Sequence, residues 1–151
     1  MAYAENTSVP VDRSKAEIER VLARYGATGF MYGIRPEKAV VAFEANDRHV
    51  RFILPMPDPS APEFRTTPTG RSRKGDAVNS AFEQEVRRRW RALALAIKAK
   101  LEAVDTGITE FEDEFMAHIV MPDGKTVSEH TRPLIAAAYE TGRVQPLLPG
   151  Y

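Results

Sequence analysis

The chain has 151 residues, of which 21 are Lys or Arg and 21 are Asp or Glu, so its formal net charge is zero. With 43% hydrophobic and 28% charged residues, it has the composition of one globular domain, residues 1–151, and not of a fibrous or disordered chain. The absence of cysteine excludes disulfides, thiol catalysis and thiolate metal sites. No run approaches the roughly 18 apolar residues that span a bilayer, and the N-terminus has no signal-peptide pattern, so we expect a cytoplasmic protein without a membrane partner.

A first helix is predicted over residues 12–25, because apolar residues recur there at steps of three and four. Ser14 and Glu17 have the spacing of a capping box near its start. Gly26 follows as a glycine that ends the helix.

The next segment changes to the alternation of polar and apolar residues that is typical of strands. Three strands are predicted, over residues 28–34, 38–44 and 49–54. Short turns between them, the second at Asn46 and Asp47, predict an antiparallel meander, because Asn and Asp tolerate positive φ. One face of this sheet belongs to the core, and the other is a candidate working surface.

A loop is predicted over residues 56–76, where prolines and glycines disfavour regular structure. Loops of this length inside a compact domain tend to be functional or disordered. This one carries four basic residues among threonines, serine and glycine, a composition suited to a phosphate backbone. A solvated, flexible excursion is the alternative. The four basic residues are Arg65, Arg71, Arg73 and Lys74.

The longest predicted helix covers residues 79–104 and has one continuous apolar stripe. At 100° per residue, Arg87, Arg91 and Lys98 fall in a narrow arc that we place on the face away from the stripe, with Arg88 beside them. Arg89 and Lys100 flank the stripe, so they are expected to extend along the apolar surface or to pair with acids.

The C-terminal third begins after Gly107, where a short acidic helix is predicted to start at Thr109. A tight turn at residues 122–125 and a last helix over 127–142 follow, with Thr131 capping Pro133. A proline-rich tail covers residues 144–151. The predicted fold class is α+β: a three-stranded antiparallel meander packs on a long amphipathic helix, in a helix-β-β-β-helix core with two shorter C-terminal helices.

Charge is distributed unevenly along the chain. Residues 60–102 contain ten Lys or Arg and five Asp or Glu, a net charge of +5. Residues 103–118 contain five Asp or Glu and no Lys or Arg, a net charge of −5. Such separation can guide a polyanion to one face of a protein, or it can let copies of the protein dock head to tail.

The sequence patterns that would indicate a catalytic or metal site are weak. Glu114 and His118 are four residues apart on a predicted helix and could offer two ligands to a divalent metal, but metal sites normally need three or four. A surface histidine beside a solvated acid explains the same pattern. No hydrolase, nucleotide-binding or metal-binding motif occurs. We therefore predict a protein that is not an enzyme and has no cofactor and no metal site.

The first functional hypothesis is non-catalytic binding of nucleic acid, in the form of single-stranded DNA. The basic loop and the basic face of the long helix would contact phosphate, while Tyr32 and Arg51 on the sheet would stack on bases. The phosphate-binding residues would be Arg65, Arg71, Arg73, Lys74, Arg87, Arg88, Arg91 and Lys98. In the alternative hypothesis the protein inhibits a host protein, and Glu110, Asp113 and Glu114 on the acidic helix imitate DNA.

Three stretches of the chain, YAENTSVPVDRSKAEIERVLARYGATGFMYG, VRFILPMPDPSAPEF and RWRALALAIKAKLEAVDTGITEFEDEFMAHIVMPDGKTV, resemble a family of uncharacterised proteins of tailed phages and prophages. The resemblance implies an early or replication-phase phage protein that acts in the bacterial cytoplasm. Together with the hypothesis of DNA binding, this predicts a role in replication or recombination. The predicted order of elements also resembles the core of phage single-strand annealing proteins, which form rings on single-stranded DNA. That likeness implies a homo-oligomer in which the acidic face of one subunit meets the basic face of the next.

Overall fold

The computed structural model describes residues 4–146, and the secondary structure follows the predicted order closely. The elements are α1 (Val11–Arg24), β1 (Thr28–Ile34), β2 (Lys38–Ala45), β3 (Arg48–Pro55), α2 (Pro62–Arg65), α3 (Asp76–Asp105), α4 (Phe111–Phe115) and α5 (Val127–Thr141), with a 3₁₀ turn at Met116–His118. The predicted α+β class is confirmed. Within the described range, no helix has both the length and the apolar character needed to cross a membrane.

The sheet is an antiparallel meander in the order β1-β2-β3. Tyr32 pairs with Val41 and Val41 with Phe52, so these three side chains share one face. The turn between β2 and β3 consists of Asn46 and Asp47, which have φ of 50° and 59°. This confirms the turn that the sequence predicted, since two successive residues with positive φ match the twist of a tight hairpin.

The core lies between one face of the sheet and the pair α1 and α3. Val41 and Val50 from the sheet belong to one hydrophobic cluster with Ile18 of α1 and Ile97 of α3, and all four are almost fully buried. Burial of such aliphatic side chains, at about 25 cal/mol per Å² of apolar surface, is the main force that holds the layers together. This core therefore joins the sheet, α1 and α3 into one packed unit.

Helices α1 and α3 run parallel to each other. Gln84 near the start of α3 donates to the carbonyl oxygen of Thr7 just before α1, at 2.9 Å. At the other end the hydroxyl of Tyr25 donates to a carboxylate oxygen of Glu102 at 2.8 Å. These contacts fix the register of the two helices along their whole shared length.

The outer edge of β3 is covered by the segment that follows α4. Val50 forms an isolated antiparallel bridge with Ile119, and the N–H of Val120 donates to the carbonyl of His49 at 2.8 Å. The predicted turn at residues 122–125 closes with a 2.8 Å bond from the N–H of Met121 to the carbonyl of Lys125. The segment between α4 and α5 is therefore hydrogen-bonded to the edge of β3 before α5 begins.

Two helix caps differ from the prediction. Helix α1 begins directly after Pro10, and Ser14 is buried inside the helix, where its hydroxyl has no hydrogen-bond partner among residues 4–146. The proposed capping box is therefore wrong, because a proline with fixed φ already sets the first turn. The start of α5 is capped by Thr126, whose hydroxyl accepts from the N–H of Glu129 at 3.2 Å.

The predicted cap at Thr131 is therefore wrong as well. Its hydroxyl donates back to the carbonyl of Val127 at 2.9 Å, and Pro133 lies inside α5. The helix begins at Val127 as predicted, and the buried Thr126 before it is the residue that caps it. The predicted tail over residues 144–151 falls mostly on residues 147–151, which lie outside the described range.

Candidate nucleic-acid interface

The predicted loop over residues 56–76 contains local structure. It holds the short helix α2 and then a hairpin, in which Thr66 and Ser72 form an antiparallel bridge. The N–H of Arg73 donates to the carbonyl of Arg65 at 2.6 Å, and the N–H of Thr67 donates to the carbonyl of Arg71 at 2.7 Å. We call residues 65–74 the basic hairpin. The expectation of an irregular segment is therefore corrected: cross-strand hydrogen bonds order it.

The basic hairpin is anchored by an aromatic pair. Phe64, at the end of α2, is only 4% exposed and meets Phe82 of α3 edge to face, with 5.7 Å between ring centroids. Gly70 at the tip has a φ of 87° and donates to the carbonyl of Thr67 at 2.9 Å. The hairpin is thus held on the first turns of α3, while its tip faces solvent.

The charges of the basic hairpin are arranged unfavourably for the isolated protein. Arg65 and Arg73 lie directly opposite each other, and like charges in that position repel. The guanidinium of Arg73 donates to a neutral acceptor, the carbonyl of Glu63, at 3.3 Å. Across the part of the chain that the structure describes, no carboxylate pairs with Arg65, Arg71, Arg73 or Lys74. A bound anion would relieve this repulsion.

The basic residues of α3 behave differently from the prediction. Arg91 forms an ion pair with Glu17 of α1, and Arg87 donates to the side chain of Gln84, with a shortest distance of 2.6 Å. Arg87 and Arg91 therefore lie beside α1 and the segment before it, and not in open solvent on the face away from the core. The prediction was wrong for these two arginines, because periodicity does not say where the neighbouring helix packs.

Of the other basic residues of α3, three form ion pairs within the described chain and one does not. Glu85 accepts from Arg88 at 3.2 Å and from Arg89 at 3.0 Å. Lys100 pairs with Glu114 at 3.3 Å, so Arg89 and Lys100 do pair with acids, as expected. Lys98 is exposed and has no ion pair within residues 4–146, which leaves it available to a ligand.

Tyr32 and Arg51 lie on opposite faces of the sheet, which corrects their predicted joint role in base stacking. Tyr32 is turned to the core, where its ring meets Trp90 and its hydroxyl donates to the carbonyl of Lys15 at 2.8 Å. Burial raises the pKa of this hydroxyl above its ordinary value. Arg51 donates to the carbonyl of Gly124 at 3.0 Å. Neither side chain is free to stack on a base in this arrangement.

The acidic helix α4 is partly neutralised by the protein itself. Glu112 pairs with Arg48 at 3.0 Å, and Glu114 pairs with Lys100. Glu110 and Asp113 are exposed, with no ion pair in the described residues. Two free carboxylates give less support to an imitation of DNA than the continuous acidic run of the sequence indicates.

His118 is engaged in packing. Its ring stacks on Phe52 with 4.0 Å between centroids, and burial, with a smaller effect of Lys100, lowers its pKa below the ordinary 6.5. Glu114 is held by Lys100. No group of three or more potential metal ligands is found in residues 4–146.

A groove that the sequence did not predict lies between the start of β3 and the C-terminal segment. It has a volume of about 830 Å³. Met116, Ile119, Met121 and Val127 form its apolar wall, and Arg48 stands at its rim. Its residues come from separate turns and helices, so no local pattern in the sequence indicates it.

The chain matches no protein-family model, no curated protein and no solved structure. The resemblance to phage and prophage proteins, and the architectural likeness to annealing proteins, therefore stay predictions from the sequence.

Proposed function

We propose that this protein binds nucleic acid without catalysing a reaction, and that the basic hairpin is its main contact surface. The observation that carries the proposal is the cluster of four cations in ten residues, with Arg65 opposite Arg73 and no carboxylate paired with any of the four in the described structure. Phosphates would remove the repulsion between these side chains, so their binding is favoured over that of neutral ligands.

Single-stranded DNA is the form that we propose. The hairpin displays Arg, Lys, Thr and Ser side chains, which contact phosphate and sugar more often than they read bases. A flexible single strand can follow such a short surface. Because Tyr32 faces the core, the binding that we propose depends on phosphate contacts and has little sequence preference.

A role in phage replication or recombination is part of the same proposal and rests on the resemblance of the sequence alone. The alternative, a host-directed inhibitor with an acidic contact surface, has less support. Two of the carboxylates on α4 are already paired with Arg48 and Lys100.

Fluorescence polarisation with a labelled single-stranded oligonucleotide tests the proposal. We expect strong binding at low salt, with a slope of log K against log salt of about −3 for roughly four phosphate contacts. Replacing Arg71, Arg73 and Lys74 together by alanine should reduce the magnitude of that slope by about 2. A duplex of the same sequence shows whether single strands are preferred.

The matched control replaces three exposed arginines elsewhere, Arg20, Arg24 and Arg132, by alanine. It changes the net charge by the same amount but leaves the hairpin intact. No change in polarisation as protein is added at low salt, or an equal loss of affinity in both triple variants, would contradict the assignment of the hairpin as the binding surface.

A further inference from the structure

The two edges of the sheet differ in whether another segment of the chain covers them. The outer edge of β3 is covered by Ile119 and Val120, whereas β1, Thr28–Ile34, forms the other edge of the sheet. A strand edge presents a row of free backbone donors and acceptors, and proteins usually protect it with charges, prolines or a covering segment. The sequence of β1, TGFMYGI, contains no charge and no proline.

The pairing with β2 shows which backbone groups of β1 point outward. The N–H of Arg35 donates to the carbonyl of Lys38 at 2.9 Å, so the inward hydrogen bonds continue at every second residue back along β1. The backbone groups of Phe30, Tyr32 and Ile34 therefore point away from β2. In the described range, none of these groups makes a hydrogen bond to another backbone segment.

The free edge has defined ends. A bulge at Gly29, which has a φ of 58°, interrupts the pairing between Thr28 and Phe30. At the other end Pro36 lacks an N–H. The regular part of the edge thus runs from Phe30 to Ile34 and is centred on Tyr32.

We propose that β1 pairs antiparallel with β1 of a second copy, about a two-fold axis at Tyr32, to give a dimer with a continuous six-stranded sheet. In this register Tyr32 pairs with its own counterpart, and Phe30 of each copy pairs with Ile34 of the other. This register alone uses all three outward-pointing residues of both strands.

The side chains fit this register. Met31, which is 64% exposed on the open face of the sheet, would lie opposite Gly33 of the second copy, where the missing side chain leaves room for it. Ile34, which is 63% exposed, would be covered by Phe30 of the second copy. Two apolar side chains that a monomer leaves in water would be buried on each side of the axis.

The charges are complementary as well. Arg35 is exposed and has no ion pair within residues 4–146, and in this register it comes next to Gly29 of the second copy. The Glu44 side chain lies over Gly29, with its Cδ 3.5 Å from the position that a Cβ would take. Each Arg35 would therefore meet Glu44 of the other copy, twice in the dimer.

Sedimentation equilibrium of the full chain over a range of concentrations gives the first test. We expect a reversible dimer at twice the 16.9 kDa chain mass. Arg35→Glu and Glu44→Arg should each weaken the dimer about tenfold or more, because each places like charges together at two symmetric positions. The double variant R35E/E44R should restore association, which a structural effect of either substitution would not do.

Cysteine cross-linking tests the register, because the natural chain has no cysteine. Met31→Cys and Gly33→Cys place the thiols on directly opposed residues of the two copies, within the range of Cα separations that a disulfide spans. A mixture of the two single variants should form a cross-linked dimer under mild oxidation, and either variant alone should form much less. A monomer at all concentrations, or equal cross-linking in the mixture and in the single variants, would overturn the proposal.

Discussion

The ammonium group of Lys100 lies 3.3 Å from a carboxylate oxygen of Glu114, and it also donates to the backbone carbonyl of Glu114 at 3.2 Å. Lys100 belongs to the basic part of the sequence and Glu114 to the acidic part. The two oppositely charged segments therefore meet inside one molecule. These two charges, which belong to oppositely charged segments of the sequence, pair with each other and hold α4 against α3.

A double-mutant cycle on this pair should show a small coupling. Both side chains are 27% exposed, so we expect Lys100→Met and Glu114→Gln to couple by about 0.5–1 kcal/mol in the free energy of unfolding, measured with urea. The matched control is Arg48→Met with Glu112→Gln, a more exposed pair, whose coupling should be smaller. Equal couplings would show that burial does not strengthen the first pair.

Phe64→Ala should loosen the basic hairpin and destabilise the protein by about 3 kcal/mol, because it removes a buried aromatic ring from its contact with Phe82. Urea unfolding measures the loss, and limited proteolysis should show faster cleavage within residues 56–76. Phe64→Leu, which keeps most of the apolar volume, should cost less. Unchanged cleavage in Phe64→Ala would mean that the aromatic pair does not anchor the hairpin.

His118 should make stability depend on pH. Its pKa in the folded protein is lowered, whereas in the unfolded chain it returns to about 6.5, so below that pH the unfolded state binds more protons. Stability is therefore complete above about pH 6.5 and falls as the pH drops towards the folded pKa. In His118→Phe, which can keep the stack on Phe52, the loss of stability between pH 7.5 and 5 should be smaller.

Urea unfolding of His118→Phe and of the natural protein at several pH values measures this difference. If His118→Phe kept the same pH dependence as the natural protein, protonation of His118 would not be the cause.

Asp47→Gly should stabilise the turn between β2 and β3. Asp47 has a φ of 59°, a conformation that costs an ordinary residue roughly 1 kcal/mol and glycine almost nothing. We expect a gain of about 0.5 kcal/mol or more in the free energy of unfolding for Asp47→Gly and a loss for Asp47→Ala. Thermal unfolding distinguishes them, and the same sign for both would contradict the assignment of strain to this residue.

The strands and long helices could be predicted from the sequence because their signals are local. The placement of Val50, Phe52 and Leu54 on one face of β3 depends only on the two-residue period of a strand. The turn at Asn46 and Asp47 follows from residues that tolerate positive φ.

The sequence could not show which partner each face would meet. Tyr32 was expected on the open face of the sheet, yet the register with Val41 turns it to the core. Arg87 and Arg91 were expected in solvent, yet α1 packs beside them. Both errors arise because a period fixes the relative directions of side chains along one element and says nothing about how that element is oriented against others.

The contact between α1 and α3 also bears on how the protein is made. Ile18 of α1 is buried together with Ile97 and Leu101 of α3, which follow it by about eighty residues in the chain. During synthesis α1 and the meander emerge first, and their apolar faces stay exposed until α3 has left the ribosome. At roughly 5–20 residues per second, this interval lasts several seconds. In that time the nascent chain depends on its charged residues, and on any chaperone that covers the sheet, to avoid aggregation.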